Sequence, residues 1–365
     1  MTVNDAIRSQ DSPPQRVLFQ KPQVNLSRSS SSRMWLVSVC AGLTILQSSL
    51  SDSFASLSVA LAAMAGALAS ELWAGALSGR YFTRSGSEPG RDGSAVTSAL
   101  VLTLLLPNQI HPVLAFLGAA FAMAVVKHSF GGLGANWLNP ALGAWLFVRF
   151  SWPSAFANAL EGSPLSFFPE NLTNDFPLVL GLDTFWTSLL NKALFFPAGA
   201  ELPPGYVDLF SYAGPGIIAD RGVLALLLGS ILIIAGQACR FWIPLCYLGV
   251  FCLLVRLFGA MLFGGGFGAG DMFAGLFSGG VLAAAFILAA DSSTGPKSRV
   301  VALPAAVLGG ALSFVFRYMG FEPYGAFFAV LLLNILSSLF RFVETRFLYA
   351  GIAGETLQAG ANENR

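Results

Sequence analysis

Charge is what this sequence has least of. Only 11% of its 365 residues are Asp, Glu, Lys or Arg, against about 25% in an average soluble domain. With 55% hydrophobic residues and a mean hydropathy of +0.68, this excludes an ordinary soluble globule. Histidine is scarcer still: His111 and His128 are the only two, each at the end of an apolar run, and both read as interfacial residues and not metal ligands. The four cysteines, Cys40, Cys239, Cys246 and Cys252, lie in or beside apolar segments and form no C-x-x-C pair. They read as small buried hydrophobes. Iron–sulphur spacing, H-E-x-x-H, a nucleophile elbow and the dinucleotide fingerprint are all missing. The sequence therefore assigns no catalytic residue and no metal ligand, and nucleic acid is not an expected partner.

What is present is a series of apolar runs, at about 34–51, 54–76, 95–107, 111–127, 139–152, 222–239, 242–263, 272–290, 300–318 and 323–340. Runs of this size specify an all-α polytopic membrane protein of about ten transmembrane helices, with membrane lipid as its surroundings. Several are shorter than the roughly 20 residues that span the hydrocarbon core. Those at 95–107 and 139–152 are flanked by Gly, Pro or Asn. They read either as discontinuous helices of the kind that form binding sites or as tilted helices with longer true ends.

Basic residues recur in alternate connections: five in the polar tail 1–33, then Arg80, Arg84 and Arg91, Lys127, Arg240, Lys297 and Arg299, and Arg341 and Arg346 after the last run. The other connections are short and nearly uncharged. The exception is the long one at 153–221, with seven acids and two bases. This alternation predicts that both termini are cytoplasmic and that the long loop faces outward. Residues 1–33 carry no signal-peptide cleavage pattern and read as a cytoplasmic tail. The expected organisation is a first five-helix half at 34–152, the outer loop at 153–221, a second half at 222–340 and a cytoplasmic tail at 341–365. Each half's fourth helix ends in a basic-aromatic cluster before glycine, VVKHSFGGLG at 125–134 and FVFRYMGFEPYG at 314–325. Each fifth helix carries one asparagine, Asn139 or Asn334. An odd helix count per half makes these inverted repeats.

Lys127, Arg149, Arg256 and Arg317 sit near apolar ends, where snorkelling to the interface is the expected behaviour. Asp92 and Asp271 are expected helix caps. The glycines of FGGGFGAGD (263–271) lack the lysine and strand of a phosphate loop. FGGLGANWLNPA (130–141) reads as a tight break between the fourth and fifth helices, with Asn136, Asn139 and Pro140 starting the fifth.

Taken together, several motifs resemble the RnfD/NqrB family. DGSAVTSALVLTLLLPN (92–108) and VVKHSFGGLGANWLNPAL (125–142) are similar to its core signatures. DLFSYAGPGIIAD (208–220), FILAADSSTGPKSR (286–299) and YGAFFAVLLLNILSSLF (324–340) follow in the family's order, so the likeness covers about residues 30–340. Gly131, Gly132 and Gly134 of the GGLG string look more like RnfD than NqrB. The resemblance implies a membrane subunit of a six-subunit redox-driven ion pump in a bacterial inner membrane. Such a complex moves electrons between a ferredoxin-like donor and NAD, or between NADH and quinone in the NqrB branch, and exports Na⁺ or H⁺. A channel or secondary transporter without redox chemistry is the rival reading from another class.

The resemblance further implies an FMN joined through a phosphoester to a threonine of the outer loop, and a bound riboflavin. The family pattern there is Asp-Gly-x-(Ser/Thr)-Gly-Ala-Thr. The matching stretch is GLDTFWTSLL (181–190), where Asp183 and Thr187 align with the first and last positions. Phe185 and Trp186 replace the small Gly-Ala pair, which obstructs close approach of an isoalloxazine to the backbone. Thr187 is the expected attachment point and Thr184 a poorer one, while Trp186 or Phe185 would stack on a flavin held without a covalent bond. Half-helix ends near 131–140 and 320–325, with Asn136, Asn139 and Asn334 close by, are suited to an anionic flavin or a cation.

Overall fold

A computed structural model describes residues 30–77, 93–129, 136, 138–157, 182–198, 210, 216–291, 294–295, 298–320, 322–337, 339–340, 342–343 and 346. These residues are mostly helical. In the first half, α1 spans Ser30–Ser51, α2 Ala55–Leu77, α3 Ser94–Leu105, α4 Pro112–Phe121 and α5 Pro140–Ser151. Next come α6 (Leu182–Leu190), the single turn α7 (Ile218–Arg221), α8 (Val223–Ala235) and α9 (Trp242–Leu254). The chain ends with α10 (Met272–Leu276), α11 (Val281–Ala283), α12 (Arg299–Phe314) and α13 (Gly325–Ser337). Among the described residues, four helices are long and apolar enough to cross a membrane: Ser31–Ser51, Ala55–Leu77, Trp242–Phe263 and Val300–Met319. Together with the shorter apolar helices they make a multi-pass membrane protein.

Lipid tails are as apolar as leucine, so helices in a bilayer associate through close packing and not through the hydrophobic effect. Small residues accordingly sit at the crossings. A methyl group at Gly66 of α2 would land on the carbonyl oxygen of Phe116 in α4, and one at Gly310 of α12 on that of Tyr247 in α9. At the crossing of α1 and α8, Gly229 lies against Cys40 and Gly222 against Thr44. Trp145, Tyr247, Tyr318, Tyr324, Phe251 and Phe327 are fully buried among these helices.

The short α3 begins after Gly93, whose φ of 74° is left-handed, and ends before Pro107. Residues Leu106–Asn108 then run extended beside Gly216–Ile218. The Asn108 N–H donates to Gly216 O at 3.1 Å and the Ile218 N–H to Leu106 O at 3.0 Å. This antiparallel bridge between Pro107 and Ile217 satisfies backbone groups that a bilayer cannot.

The run at 272–290, expected as one helix, is interrupted. After Leu276 the chain turns through Gly279 and Gly280, at φ 68° and 67°, before helix resumes at Val281. A left-handed pair costs little only at glycine, and this one divides the span into two half-helices. Helices α4, α9, α11 and α12 each run on into a π-helical turn, at Ala122–His128, Val255–Gly259, Ala284–Leu288 and Val315–Met319. Such turns displace side chains from the regular helical register.

Candidate functional site

Three polar clusters are built into this apolar frame. The first clamps the break between α10 and α11. Arg317, in the π-turn after α12, is 3% exposed and does not snorkel. Its Nη1 donates to the carbonyls of Gly275 and Ser278, and its Nη2 to Ser278 Oγ at 2.6 Å. On the other side of the break, Asp220 of α7 accepts from the Gly279 N–H at 2.9 Å and the Gly280 N–H at 2.8 Å. A cation therefore meets the carbonyl end of one half-helix, and an anion meets the amide end of the next. Both charges complement the half-helix dipoles.

The second cluster lies where α2, α3 and the end of α4 meet. Lys127, also 3% exposed, occupies the π-turn after α4. Its Nζ donates to both carboxylate oxygens of Glu71 at 2.9 Å and to Ser94 Oγ at 2.6 Å. His128 Nε2 lies 3.2 Å from Glu71 Oε2. Lys127 thus departs from the expected snorkelling in the same way as Arg317, because each cation has internal partners: Glu71 and Ser94 for Lys127, Gly275 and Ser278 for Arg317. Arg149 is partly buried beside Glu322 at 3.6 Å, and Arg256 donates to Gly270 O at 3.3 Å. Glu71 was not singled out by sequence reasoning. The available signal was a lone acid near the end of an otherwise apolar run, a placement that is costly in a membrane unless it is paired.

The third cluster surrounds the start of α5. Asn139 caps this helix: its Oδ1 accepts from the Ala141 N–H at 3.0 Å, and Pro140 fills the first helical position. The free side of the amide is also used, since Asn139 Nδ2 donates to Asp291 Oδ2 at 3.0 Å. Asp291 lines a cavity of about 120 Å³ together with Arg33, Arg240, Thr294 and Asn334. Asn334 is 4% exposed, and its Nδ2 has no hydrogen-bond partner. An unmatched buried amide facing a cavity is a costly feature that an incoming acceptor relieves.

The remaining expected residues divide by what is described. Asn136 is buried. Gly131, Gly132 and Gly134 lie outside the described residues, as do Asp92 and the side chains of Asp183, Thr184 and Trp186. Asp271 caps α10 as expected, accepting from the N–H groups of Phe273 and Ala274. Thr187 lies on α6 and is 6% exposed, while its neighbours Phe185, Leu189 and Leu190 are exposed. It is not among the residues lining the cavity of Asp291 and Asn334.

Comparison with known proteins matches residues 17–348 to the NQR2, RnfD, RnfE family. The chain is 31% identical over 258 residues to the D-type subunit of the Na⁺-translocating ferredoxin:NAD⁺ oxidoreductase complex of Acetobacterium woodii, covering 70% of this chain and 72% of that one. It is 30% identical to the D-type subunit of the proton-translocating ferredoxin:NAD⁺ oxidoreductase complex of Clostridium ljungdahlii, over 68% of this chain and 72% of the relative. With the D-type subunit of the ion-translocating oxidoreductase complex of Vibrio cholerae the identity is 29% over 338 residues, 87% of this chain and 94% of the other. A match that runs from the polar tail past α13 takes in all three clusters: the chain belongs to the NQR2, RnfD, RnfE family.

Proposed function

We propose that this chain is the D-type membrane subunit of an ion-translocating ferredoxin:NAD⁺ oxidoreductase, acting with the other subunits of a six-subunit complex. The carrying observation is the family match over residues 17–348, with relatives bearing that description along most of their own length. Within this reading the chain has ten spans in two inverted five-helix repeats, and both termini face the cytoplasm. The paired features support the repeat. Left-handed Gly93 and Gly280 each open a half-helix, and Lys127 and Arg317 each reach a serine there from a π-turn. Gly66 and Gly310 mark matching crossings, of α2 on α4 and of α12 on α9.

A flavin, when bound, would supply one-electron chemistry to this subunit. Covalent FMN at Thr187 and a flavin held without a covalent bond are the two modes of attachment, and Phe185–Trp186 in place of the small Gly-Ala pair favours the second. The cavity beside α5, at about 120 Å³, is too small to enclose a whole flavin and would receive only one edge of it. Asn334 offers it an unmatched donor, Asp291 orients the Asn139 amide at its edge, and Arg33 and Arg240 bring positive charge. The chain's own task is to hold that group and to keep water from its apolar side. The clamp at Gly279 and Gly280 keeps the half-helix ends from collapsing.

The test is complementation of a strain lacking this chain, with ferredoxin-driven NAD⁺ reduction and Na⁺ or H⁺ uptake measured in inverted membrane vesicles. Restoration of both is expected; recovery of neither in a correctly assembled complex refutes the reading. A visible spectrum of the purified chain before and after acid precipitation decides the flavin. Acid-extractable flavin is expected, acid-stable colour places FMN covalently, and a colourless protein refutes flavin binding.

A further inference from the structure

A lateral groove of about 360 Å³ runs between the end of α12 and the length of α13. Phe316, in the π-turn after α12, forms one wall. Phe328, Leu331, Leu332 and Ile335 of α13 form the other, at the i, i+3, i+4 and i+7 spacing of a single helix face. From Gly325 to Ile335 the helix rises about 15 Å, half of the roughly 30 Å hydrocarbon core. The groove therefore has the length of one leaflet, and its walls are of the kind an acyl chain packs against.

One end of the groove is charged. Glu322 stands in the turn that leads into α13, where its N–H donates to Phe316 O at 3.2 Å and its carbonyl accepts from the Gly325 N–H at 2.9 Å. It carries the only polar side chain among the described residues that line the groove. Its carboxylate is ion-paired with Arg149 Nη2 of α5 at 3.6 Å, and the two side chains are 27% and 17% exposed. That contact is longer than a hydrogen bond, and Glu322 Oε1 has no hydrogen-bond partner. The carboxylate thus keeps its capacity to accept from a cationic N–H donor, with a guanidinium beside it for an anion.

We propose that this groove holds one molecule of an aminophospholipid, a phosphatidylethanolamine, with an acyl chain along α13 and its ammonium on Glu322. The paired charges of Glu322 and Arg149 complement the ammonium and phosphate of that headgroup. A choline ammonium carries no N–H and cannot donate to the carboxylate. An anionic phospholipid without an amine meets Glu322 as a like charge. Headgroup chemistry therefore selects among lipids whose chains fit the groove equally well. The site goes beyond the redox reading of the chain and does not depend on it. Only its leaflet, the outer one, rests on the proposed cytoplasmic termini.

The purified complex is stripped of lipid by detergent exchange. It is then titrated with phosphatidylethanolamine, phosphatidylcholine or phosphatidylglycerol of identical acyl chains, and native mass spectrometry counts the molecules retained. The expected result is one phosphatidylethanolamine held about tenfold more tightly than either of the others, as befits a hydrogen bond to a charged group. Glu322→Gln should erase that preference. Leu331→Trp, which fills the groove and leaves the carboxylate in place, should remove the retained molecule whichever lipid is offered. Size-exclusion profiles establish that each variant assembles. Equal retention of the three lipids by the wild type means annular lipid only and overturns the proposal, as does a preference that survives either substitution.

Discussion

Replacing Asp220 by Asn tests whether the break in the α10–α11 span depends on charge or merely on the shape of two glycines. The substitution is isosteric, so packing stays constant. The carboxylate now accepts from two backbone N–H groups at 2.9 and 2.8 Å. Asn keeps one acceptor oxygen and turns an amine toward the other N–H, which converts an attraction into a donor–donor conflict. A hydrogen bond to a charged group is worth about 1.5–3 kcal/mol. Arg317 meanwhile stays buried with its local anion neutralised, and breaking a buried charge pairing typically costs about 3–5 kcal/mol. These two costs overlap, so the expected total is about 3–5 kcal/mol and not their sum. In a thermal denaturation of the detergent-solubilised protein, that corresponds to a midpoint lower by roughly 6–20 °C, using about 2–4 °C per kcal/mol. Asp220→Ala, which removes the conflict but leaves both N–H groups empty, should fall in the same range. A midpoint for Asp220→Asn within a degree of wild type refutes the clamp.

Other expectations follow the same geometry. Gly280→Ala should destabilise far more than Gly264→Ala: both positions are left-handed, but the methyl at 280 meets the Phe327 ring whereas that at 264 meets open space. The shared backbone cost is about 1–2 kcal/mol, and comparing the two melting curves isolates the rest. Gly66→Ala should separate α2 from α4 and lower the melting midpoint, while Gly42→Ala, with nothing within 4 Å of its methyl, should raise stability by up to about 1 kcal/mol. Glu71→Ala should cost about 3–5 kcal/mol by leaving Lys127 buried without its carboxylate. Adding Lys127→Met should recover part of that loss, and a double-mutant cycle on the four proteins measures it. Asn139→Ala should abolish ion uptake while assembly on size exclusion persists; wild-type coupling in that variant removes Asn139 from the mechanism.

Much of the helical frame was legible because membrane helices declare themselves locally. The runs read at 95–107 and 139–152 became α3 and α5 within about two residues, and the Asn-Pro pair at 139–140 caps and starts α5 as its chemistry demands. The break within 272–290 escaped, although Gly279 and Gly280 stood in plain view. Adjacent glycines in an apolar run are tolerated inside a helix, and what turns them left-handed here is Asp220, remote in sequence. Distance also defeated the reading of Lys127 and Arg317. Each looks like a cation near a helix end, and only the arrival of Glu71 or Ser278 from another helix makes burial cheaper than snorkelling. The two asparagines marked as corresponding positions, Asn139 and Asn334, do converge on one region, through Asp291 and its cavity.

The bridge between Pro107 and Ile217 has a consequence for how the protein is made. At twelve residues α3 is about 18 Å long, too short for the roughly 30 Å hydrocarbon core. The Leu106 carbonyl and the Asn108 amide of its exit segment find their backbone partners at Ile218 and Gly216, about 110 positions later in the chain. At about 5–20 residues per second of synthesis, those partners emerge on the order of 5–20 s after α3 does. Throughout that interval the Leu106 carbonyl and the Asn108 amide must be kept from lipid by something other than this protein, so insertion of the first half is a loan from the translocation machinery that only the second half discharges.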